Sequence, residues 1–514
     1  MNTMTMTSTI RRIIAASLIA ALASTAPETG TAGAAPVSAS CTRHVGPGSP
    51  TGTGLTTASP MSLPKLLAVV NTTGGTGVVA CLTGGAYGSA TVEHRITRGG
   101  SAAQPLTLRK SPTATTEPVI SGRLVVARGA DHVQLAGLTF VGPGAGTTSA
   151  FSLDANGIEL VGNDFSSPNR ICISVGGGIR EVSPTLPKVT GFVADGNKVH
   201  DCGTNLARTG SPQAHGFYLE YSSGAIIRNN IVSNPAGRGV QLFNDADGSL
   251  IENNVFDGNF AAVNFGGGLG GSTSVTPMPE NNVVRNNIVT NGVRWCNTRN
   301  QCQAALFIQG NHEAAYTSPP SSDARTKAPS SWGNVVRDNC VWFTNPTTAV
   351  THNSWEPGYS YASSNSFVDP RYRNAAAGDF RLLPTSPCLG KGVRPTIGNA
   401  TALATRTSAT SSAVLRSPWM TATTRMQVRI CAVGVVATAT QACTGPWQSS
   451  PATSMVAGDV RVTASVSGLV PGRVYEYRWV TWQALLTDPG VPADSQSGAS
   501  YWTASTPGKV ATPA

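Results

Sequence analysis

Charge is scarce in this 514-residue chain, where Asp, Glu, Lys and Arg together make up 12%. Long solvent-exposed helices laced by ion pairs need more than that, which argues against a helical bundle. No apolar run is long enough to cross a bilayer: the most apolar segment, Ile13 to Ala23, is far short of the roughly 20 residues that a spanning helix requires. Lys/Arg-rich runs interleaved with aromatics are missing too, and nucleic acid is therefore not expected as a partner. The ten cysteines contain no CxxC, and the closest pairs, Cys296/Cys302 and Cys431/Cys443, have no cluster of His beside them. That spacing argues against a zinc site.

What is present points to strands. Hydrophobic residues account for 40%, and Gly (56), Ser, Thr and Asn are abundant, the composition of many short strands joined by tight turns. An all-β protein is expected. Arg11 and Arg12 precede the short apolar run, which reads as a signal peptide within a leader of residues 1–35, with cleavage after Ala23 or Ala35. A secreted protein with an even number of cysteines is expected to form disulfides, and pairing along the chain is the simplest of many possibilities. The formal net charge of +10 favours polyanionic partners such as an acidic polysaccharide.

A repeat runs through the middle. The segments "GIELVGNDFS" (157–166), "FVADGNKVHD" (192–201), "AIIRNNIVSN" (225–234), "SLIENNVFDGN" (249–259), "NVVRNNIVTN" (282–291) and "NVVRDNCVW" (334–342) align on Asn163, Asn197, Asn230, Asn254, Asn287 and Asn339. In the line before them, "GLTFVG" (137–142), Leu138 fills the same place. Between these lines lie short period-2 strands, "FYLEY" (217–221), "VQLFN" (240–244), "VNFGG" (263–267) and "LFIQG" (306–310). Internal similarity at a basic period in the low twenties, enlarged by insertions, is the signature of a solenoid. Asn at a fixed turn accepts left-handed geometry, and stacked Asn side chains bond along the ladder.

In these lines the chain resembles the right-handed parallel β-helix, or pectate-lyase-like, superfamily. "VACLTGGAYGS" (79–89) followed by "PLTLRKSPTATTEPVISG" (105–122) is similar to that family's entry segment, and "NSFVDPRYRNAAAGDFRLLPTSPCLGKG" (365–392) to its terminal segment. The resemblance implies a β-helix over residues 41–398, on a scaffold that hosts lyases, hydrolases, epimerases and pure binders. "TALATRTSATSSA" then reads as a linker, residues 399–415. In "SGLVPGRVYEYRWVTW" (467–482), Leu469, Pro471, Gly472 and Tyr475 resemble the tyrosine corner of fibronectin type III modules. Residues 416–514 are accordingly expected to form a small β-sandwich.

Chemistry is expected where rungs stack. If Phe217 lies over Val240 and Leu219 over Leu242, an offset of 23 places His215 beside Arg238 and sends Tyr218, Gln241 and Asn264 outward in one row, with Glu220 on a neighbouring row. A His base, an Arg neutralising a carboxylate and a Tyr proton donor suit removal of the C5 proton of a uronic acid. This pattern resembles β-helix C5-epimerases, whose motif is Asp-Pro-His where this chain reads Gln213, Ala214, His215. The competing reading is structural, with His215 satisfying backbone and Arg238 solvated. His200 with Asp201 is an alternative acid–base pair. Asp245 and Asp247 in "NDADG" resemble the start of a Ca²⁺ loop, with a plain Asp-Gly turn as the bland alternative. A glycoside hydrolase, which needs facing carboxylates, fits less well.

Insertions at 267–281, 292–304 and 310–332, with Trp295, Trp332, Trp342 and Trp355 in or near them, are expected to line a binding face. The functional expectation is a secreted, monomeric lyase or C5-epimerase acting on an acidic polysaccharide. The alternative is a noncatalytic glycan-binding or adhesin-like protein.

Overall fold

The computed structural model describes residues 40–512 apart from internal stretches. The longest of these are 178–185, 208–213, 268–278, 297–301, 313–332, 344–348, 353–358, 432–442 and 484–502. The expected leader and most of the expected insertions, with Trp332 and Trp355, thus lie outside the described residues.

Residues 43–367 form a parallel β-helix. Its first sheet has 11 strands, running from Arg43–Val45 through Val193–Asp195, Ile226–Arg228 and Leu250–Glu252 to Ser360–Tyr361. A second sheet stacks Thr139–Val141, Asp164–Ser166, Lys198–His200, Ile231–Ser233, Val255–Asp257, Ile288–Thr290 and Cys340–Trp342. The third stacks Ser149–Leu153, Ile171–Val175, Phe217–Glu220, Arg238–Phe243, Ala261–Gly267 and Ala305–His312. The long strand Pro118–Val126 pairs with the first members of both the second and third sheets.

Period-2 alternation explains why these short segments form rungs: every second residue enters one continuous core. Along the third sheet the inward column is Phe151, Ile173, Phe217, Val240 and Val263, all at 0–1% exposure. Phe140 and Phe165, on successive rungs of the second sheet, stack at 4.8 Å.

The asparagine line is a hydrogen-bonded ladder, with the work divided between neighbouring residues. Oδ1 of Asn163, Asn197, Asn230, Asn254, Asn287 and Asn339 each accepts the backbone N–H of the equivalent residue one rung earlier, starting with Leu138, at 2.8–3.0 Å. Their Nδ2 groups donate to the Oδ1 of the next rung, and the ladder ends at Asn365. Left-handed geometry falls to the residue before each ladder Asn, namely Gly162, Gly196, Asn229, Asn253, Asn286 and Asp338, with φ from 55° to 70°. A second, shorter ladder joins Ser249, Asn282 and Asn334.

Both ends of the β-helix carry additional structure. The helix Leu63–Thr73, N-capped by Ser62, adds Leu63, Leu66, Leu67 and Val70 to the core that Ala80 and Leu82 of the first rungs enter. At the other end residues 366–394 run back along the outside of the second sheet. There Ile231, Val255, Ile288 and Cys340 form an outward apolar column, covered by Leu382, Cys388, Phe380 and Leu389. Gly392 N–H donates to Asn286 O and Arg394 N–H to Asn229 Oδ1, and the Cys340–Cys388 disulfide secures the segment. Cys41–Cys81, Cys172–Cys202 and Cys431–Cys443 also pair along the chain. Cys296 and Cys302 face each other across a short antiparallel ribbon whose side chains are not described.

The C-terminal region is a pair of antiparallel sheets of 4 and 6 strands. The segment expected as a linker is strand instead: Thr401–Ala404 and Ser408–Ser417 pair with each other, and the latter also with Gly458–Ser467. Its small residues alternate, so that Ala409 and Ala413 enter a core with Trp479 and Tyr477. The Tyr475 hydroxyl accepts the Val470 N–H at 2.8 Å, tying the corner that its sequence suggested.

Candidate functional site

The register that places the candidate residues is the one the spacing predicts. Phe217 pairs with Val240, Tyr218 with Gln241 and Leu219 with Leu242, and Gln241 in turn pairs with Asn264. Because Phe217 and Leu219 are buried in the core, Tyr218 and Glu220 point away from it. The outward row also extends toward the N-terminus through Ser174 and Ser152, with Asp154 next to them. Sequence reading missed these three because "SAFSL" and "ICISV" carry no aromatic or Asn signature. An offset of 23 counted back from Tyr218 does not reach them, because the chain between Ser174 and its partner Tyr218 is longer than one basic repeat.

His215 and Arg238 are neighbours on successive rungs. The Gly216 N–H donates to Arg238 O at 3.0 Å, and the Arg238 N–H donates to His215 Nδ1 at 3.3 Å. With Nδ1 accepting from an amide, the neutral imidazole carries its proton on Nε2 and presents a donor there. Burial, aided by the Arg238 charge, holds the His215 pKa well below its ordinary value. Burial likewise lowers Arg238 to about 10, which leaves it cationic at neutral pH, with its guanidinium 6.0 Å from the Phe260 ring centre. The Tyr218 ring stacks on His215 at 5.8 Å and on Phe243 at 6.1 Å.

The remaining predicted residues complete a polar surface. Asn264 Nδ2 donates to Gln241 Oε1 at 2.8 Å, while the buried Asn264 Oδ1 has no partner among the described residues. Glu220 is 6% exposed. Ser152 Oγ donates to Asp154 Oδ2 at 3.1 Å, and desolvation raises the Asp154 pKa. The cluster is nearly closed, since His215 is 3% and Arg238 8% exposed, and Tyr218 is its half-buried member. A cavity of about 540 Å³, lined by residues 90–93, Arg123, Pro143 and Gly144, opens at the rung of Arg123 and Leu124, three rungs before Phe217.

Asp245 and Asp247 do not fit a Ca²⁺ site. Lys188 Nζ lies 2.9 Å from Asp245 Oδ1 and 2.5 Å from Asp247 Oδ2, so an ammonium already occupies the place of a cation. Asp247 Oδ1 further accepts the Glu280 N–H. Among the described residues no group of three or more His, Cys, Asp or Glu gathers as a metal site.

The alternative pair belongs to a different sheet. On the second sheet, His200 Nε2 lies 2.8 Å from Asp164 Oδ1 and Nδ1 2.7 Å from Asp201 Oδ2. The Asp164 hydrogen bond, then that of Asp201, raises the imidazole pKa against desolvation. Both ring nitrogens are committed to carboxylates, which makes His200 a bridge between rungs. Trp342 is exposed at the end of its strand on that sheet.

A family described as "Right handed beta helix region" matches residues 121–317. Among solved structures, the chain is similar to an alginate lyase from Paenibacillus sp. str. FPU-7 at 17% identity, covering 58% of this chain and 96% of that one, with a TM-score of 0.37. It is similar to pectate lyase Pel9A at 12% identity, covering 70% and 93%, with a TM-score of 0.42. It also resembles the A-module of the Azotobacter vinelandii mannuronan C-5 epimerase AlgE6, at 14% identity and a TM-score of 0.28, covering 58% and 82%. No curated protein sequence matches the chain.

Proposed function

We propose that this is a secreted protein that acts on a uronate-containing acidic polysaccharide along the outer face of the third sheet, as a lyase or C5-epimerase. The observation that supports this reading is the stack of Tyr218 on a neutral His215, with Arg238 one rung away. In this reading Tyr218, the half-buried member, meets the sugar. As phenolate it takes the C5 proton; in the lyase outcome the resulting phenol returns that proton to the departing C4 oxygen, giving an unsaturated product, and in the epimerase outcome water on the opposite face of the ring reprotonates C5 while Tyr218 gives its proton up to solvent. His215 Nε2–H and the Arg238 guanidinium stabilise the enolate-like carboxylate between those steps. His215 thus acts as a donor rather than the base its residue type first suggests. Gln241, Asn264 and Glu220 bind neighbouring sugar hydroxyls. The C-terminal sheets are read as a fibronectin type III-like accessory module.

The test is incubation of the purified full-length protein with a panel of acidic polysaccharides, with and without calcium. Ultraviolet absorbance reports the unsaturated product and NMR reports solvent exchange at C5. Activity that falls by roughly 100-fold or more in Tyr218→Phe fits a proton-transferring group; no turnover of any polymer overturns the enzymatic reading. The near-complete burial of His215 and Arg238 favours a second reading, a β-helix that binds glycan without turning it over. Binding that survives in Tyr218→Phe, with no turnover in the wild type, selects it.

A further inference from the structure

The outward face of the six-stranded C-terminal sheet carries a group that the β-helix chemistry does not use. Met426, Val428, Tyr477 and Trp479 point into the core, so the alternating residues Gln427, Arg429, Glu476 and Arg478 face out. Gln427 lies opposite Arg478 and Arg429 opposite Glu476, while the short strand Gln448–Ser449 pairs alongside and brings Trp447 next to Arg429. The guanidinium carbons of Arg429 and Arg478 lie 4.5 Å and 4.0 Å from the Trp447 ring centre, and the indole remains partly exposed.

Charge on this face is unbalanced. Glu476 pairs with Arg429, its carboxylate 2.5 Å from the Nε, and Lys509 sits opposite Glu476 on the next strand. Arg478 spends only its Nε, on Gln427 Oε1 at 3.0 Å, and its terminal nitrogens make no hydrogen bond with a described residue. The indole N–H of Trp447 makes none either. Burial and the neighbouring Arg429 both disfavour the charge on Arg478, and Glu476 only partly offsets them. An incoming carboxylate at the open fork of Arg478 relieves that repulsion.

We infer that Trp447, Arg429 and Arg478 form a binding platform for a carboxylated sugar, separate from the third-sheet site. With the two guanidiniums stacked over the Trp447 ring, the indole surface they leave uncovered offers a flat apolar patch to a sugar ring, and the open fork of Arg478 takes the ring's carboxylate in bidentate geometry. A neutral glycan leaves the cations unpaired, and a flexible acidic peptide presents no rigid ring face to the indole. The platform is therefore assigned to an acidic polysaccharide. On one chain with a catalytic or binding β-helix it adds a second point of attachment to a long polymer.

The experiment measures binding of the full-length protein to immobilised polyuronate, a sulfated glycan without uronate and a neutral glycan, at two salt concentrations. Trp447→Ala, Arg478→Ala and Arg478→Lys are compared with the wild type, and thermal melting checks that each is folded. Roughly tenfold weaker polyuronate binding in Trp447→Ala and Arg478→Ala with partial recovery in Arg478→Lys supports the platform. Equal binding by all variants, or stronger binding to the sulfated or neutral glycan, overturns it. Because the readout is binding, it stands apart from turnover: an inactive wild type that still loses polyuronate affinity in Arg478→Ala sinks the enzymatic proposal and keeps this one.

Discussion

Replacing Asn254 by Ala removes one link from the middle of the asparagine ladder. Asn254 is 0% exposed, so no water takes over its bonds. Its Oδ1 accepts the Asn230 N–H at 2.9 Å and Asn230 Nδ2 at 3.0 Å, and its Nδ2 donates to Ile227 O and to Asn287 Oδ1, both at 2.9 Å. Asn230 Nδ2 keeps other acceptors in Ala194 O and Arg228 O, so its loss is small. The stranded groups are the Asn230 N–H and, more weakly, Ile227 O. At about 1–3 kcal/mol for each buried group left unpaired, the change costs about 2–4 kcal/mol. Asn254→Asp costs more. It keeps the acceptor but places a second carboxylate oxygen against Ile227 O and Asn287 Oδ1, burying a charge next to two acceptors. In a solenoid the damage is local, so amide hydrogen exchange followed by mass spectrometry should show deprotection centred on residues 225–234 and 249–259, with other rungs less affected. An Asp variant as stable as wild type, or more stable than the Ala variant, refutes the assignment of donors and acceptors along this ladder.

Three further outcomes follow from other sites. Calcium and chelator should leave the melting temperature of the wild type unchanged, whereas Lys188→Gln, which frees Asp245 and Asp247, should lower it and make it sensitive to calcium. His200 has a folded pKa above its unfolded value, so its contribution is fully present below the ordinary histidine pKa and lost as pH rises through the folded one. Urea unfolding of wild type and His200→Gln should therefore diverge most below the ordinary histidine pKa and converge as pH rises well above it. His215 has the opposite sign: its folded pKa is depressed, so its stability contribution fades as pH falls below the ordinary value, and His215→Gln should flatten that part of the acid profile.

The solenoid was legible because stacking imposes the same demand on every rung. The ladder asparagines, the paired inward apolars and the offset that sets Tyr218 over Gln241 all recur, and recurrence survives insertions of any length. What was not legible was local and unrepeated. Nothing around Asp245 and Asp247 shows that Lys188, far away in sequence, supplies their positive charge. Residues 401–417 have the small side chains of a linker, yet alternation of Ala409, Ser411 and Ala413 fits them under Trp479, whose indole N–H bonds Ser411 Oγ. His215 was found by spacing, but its tautomer depends on a backbone N–H one rung away, which residue type does not reveal. Ser152, Asp154 and Ser174 are not legible because their lines lack the Asn signature and the chain between Ser174 and Tyr218 is longer than one basic repeat.

The asparagine ladder also has a defined length. It begins at the Leu138 N–H, where no side-chain amide precedes, and it ends at Asn365, whose backbone N–H donates to Ala362 O at 3.3 Å instead of to a next Oδ1. A further rung placed in register beyond Asn365 would find that donor already engaged. Open solenoid ends are templates on which other chains can add. Here the column of side-chain hydrogen bonds terminates within the chain's own backbone and offers no template for growth, which favours a counted stack of rungs over an extending fibre.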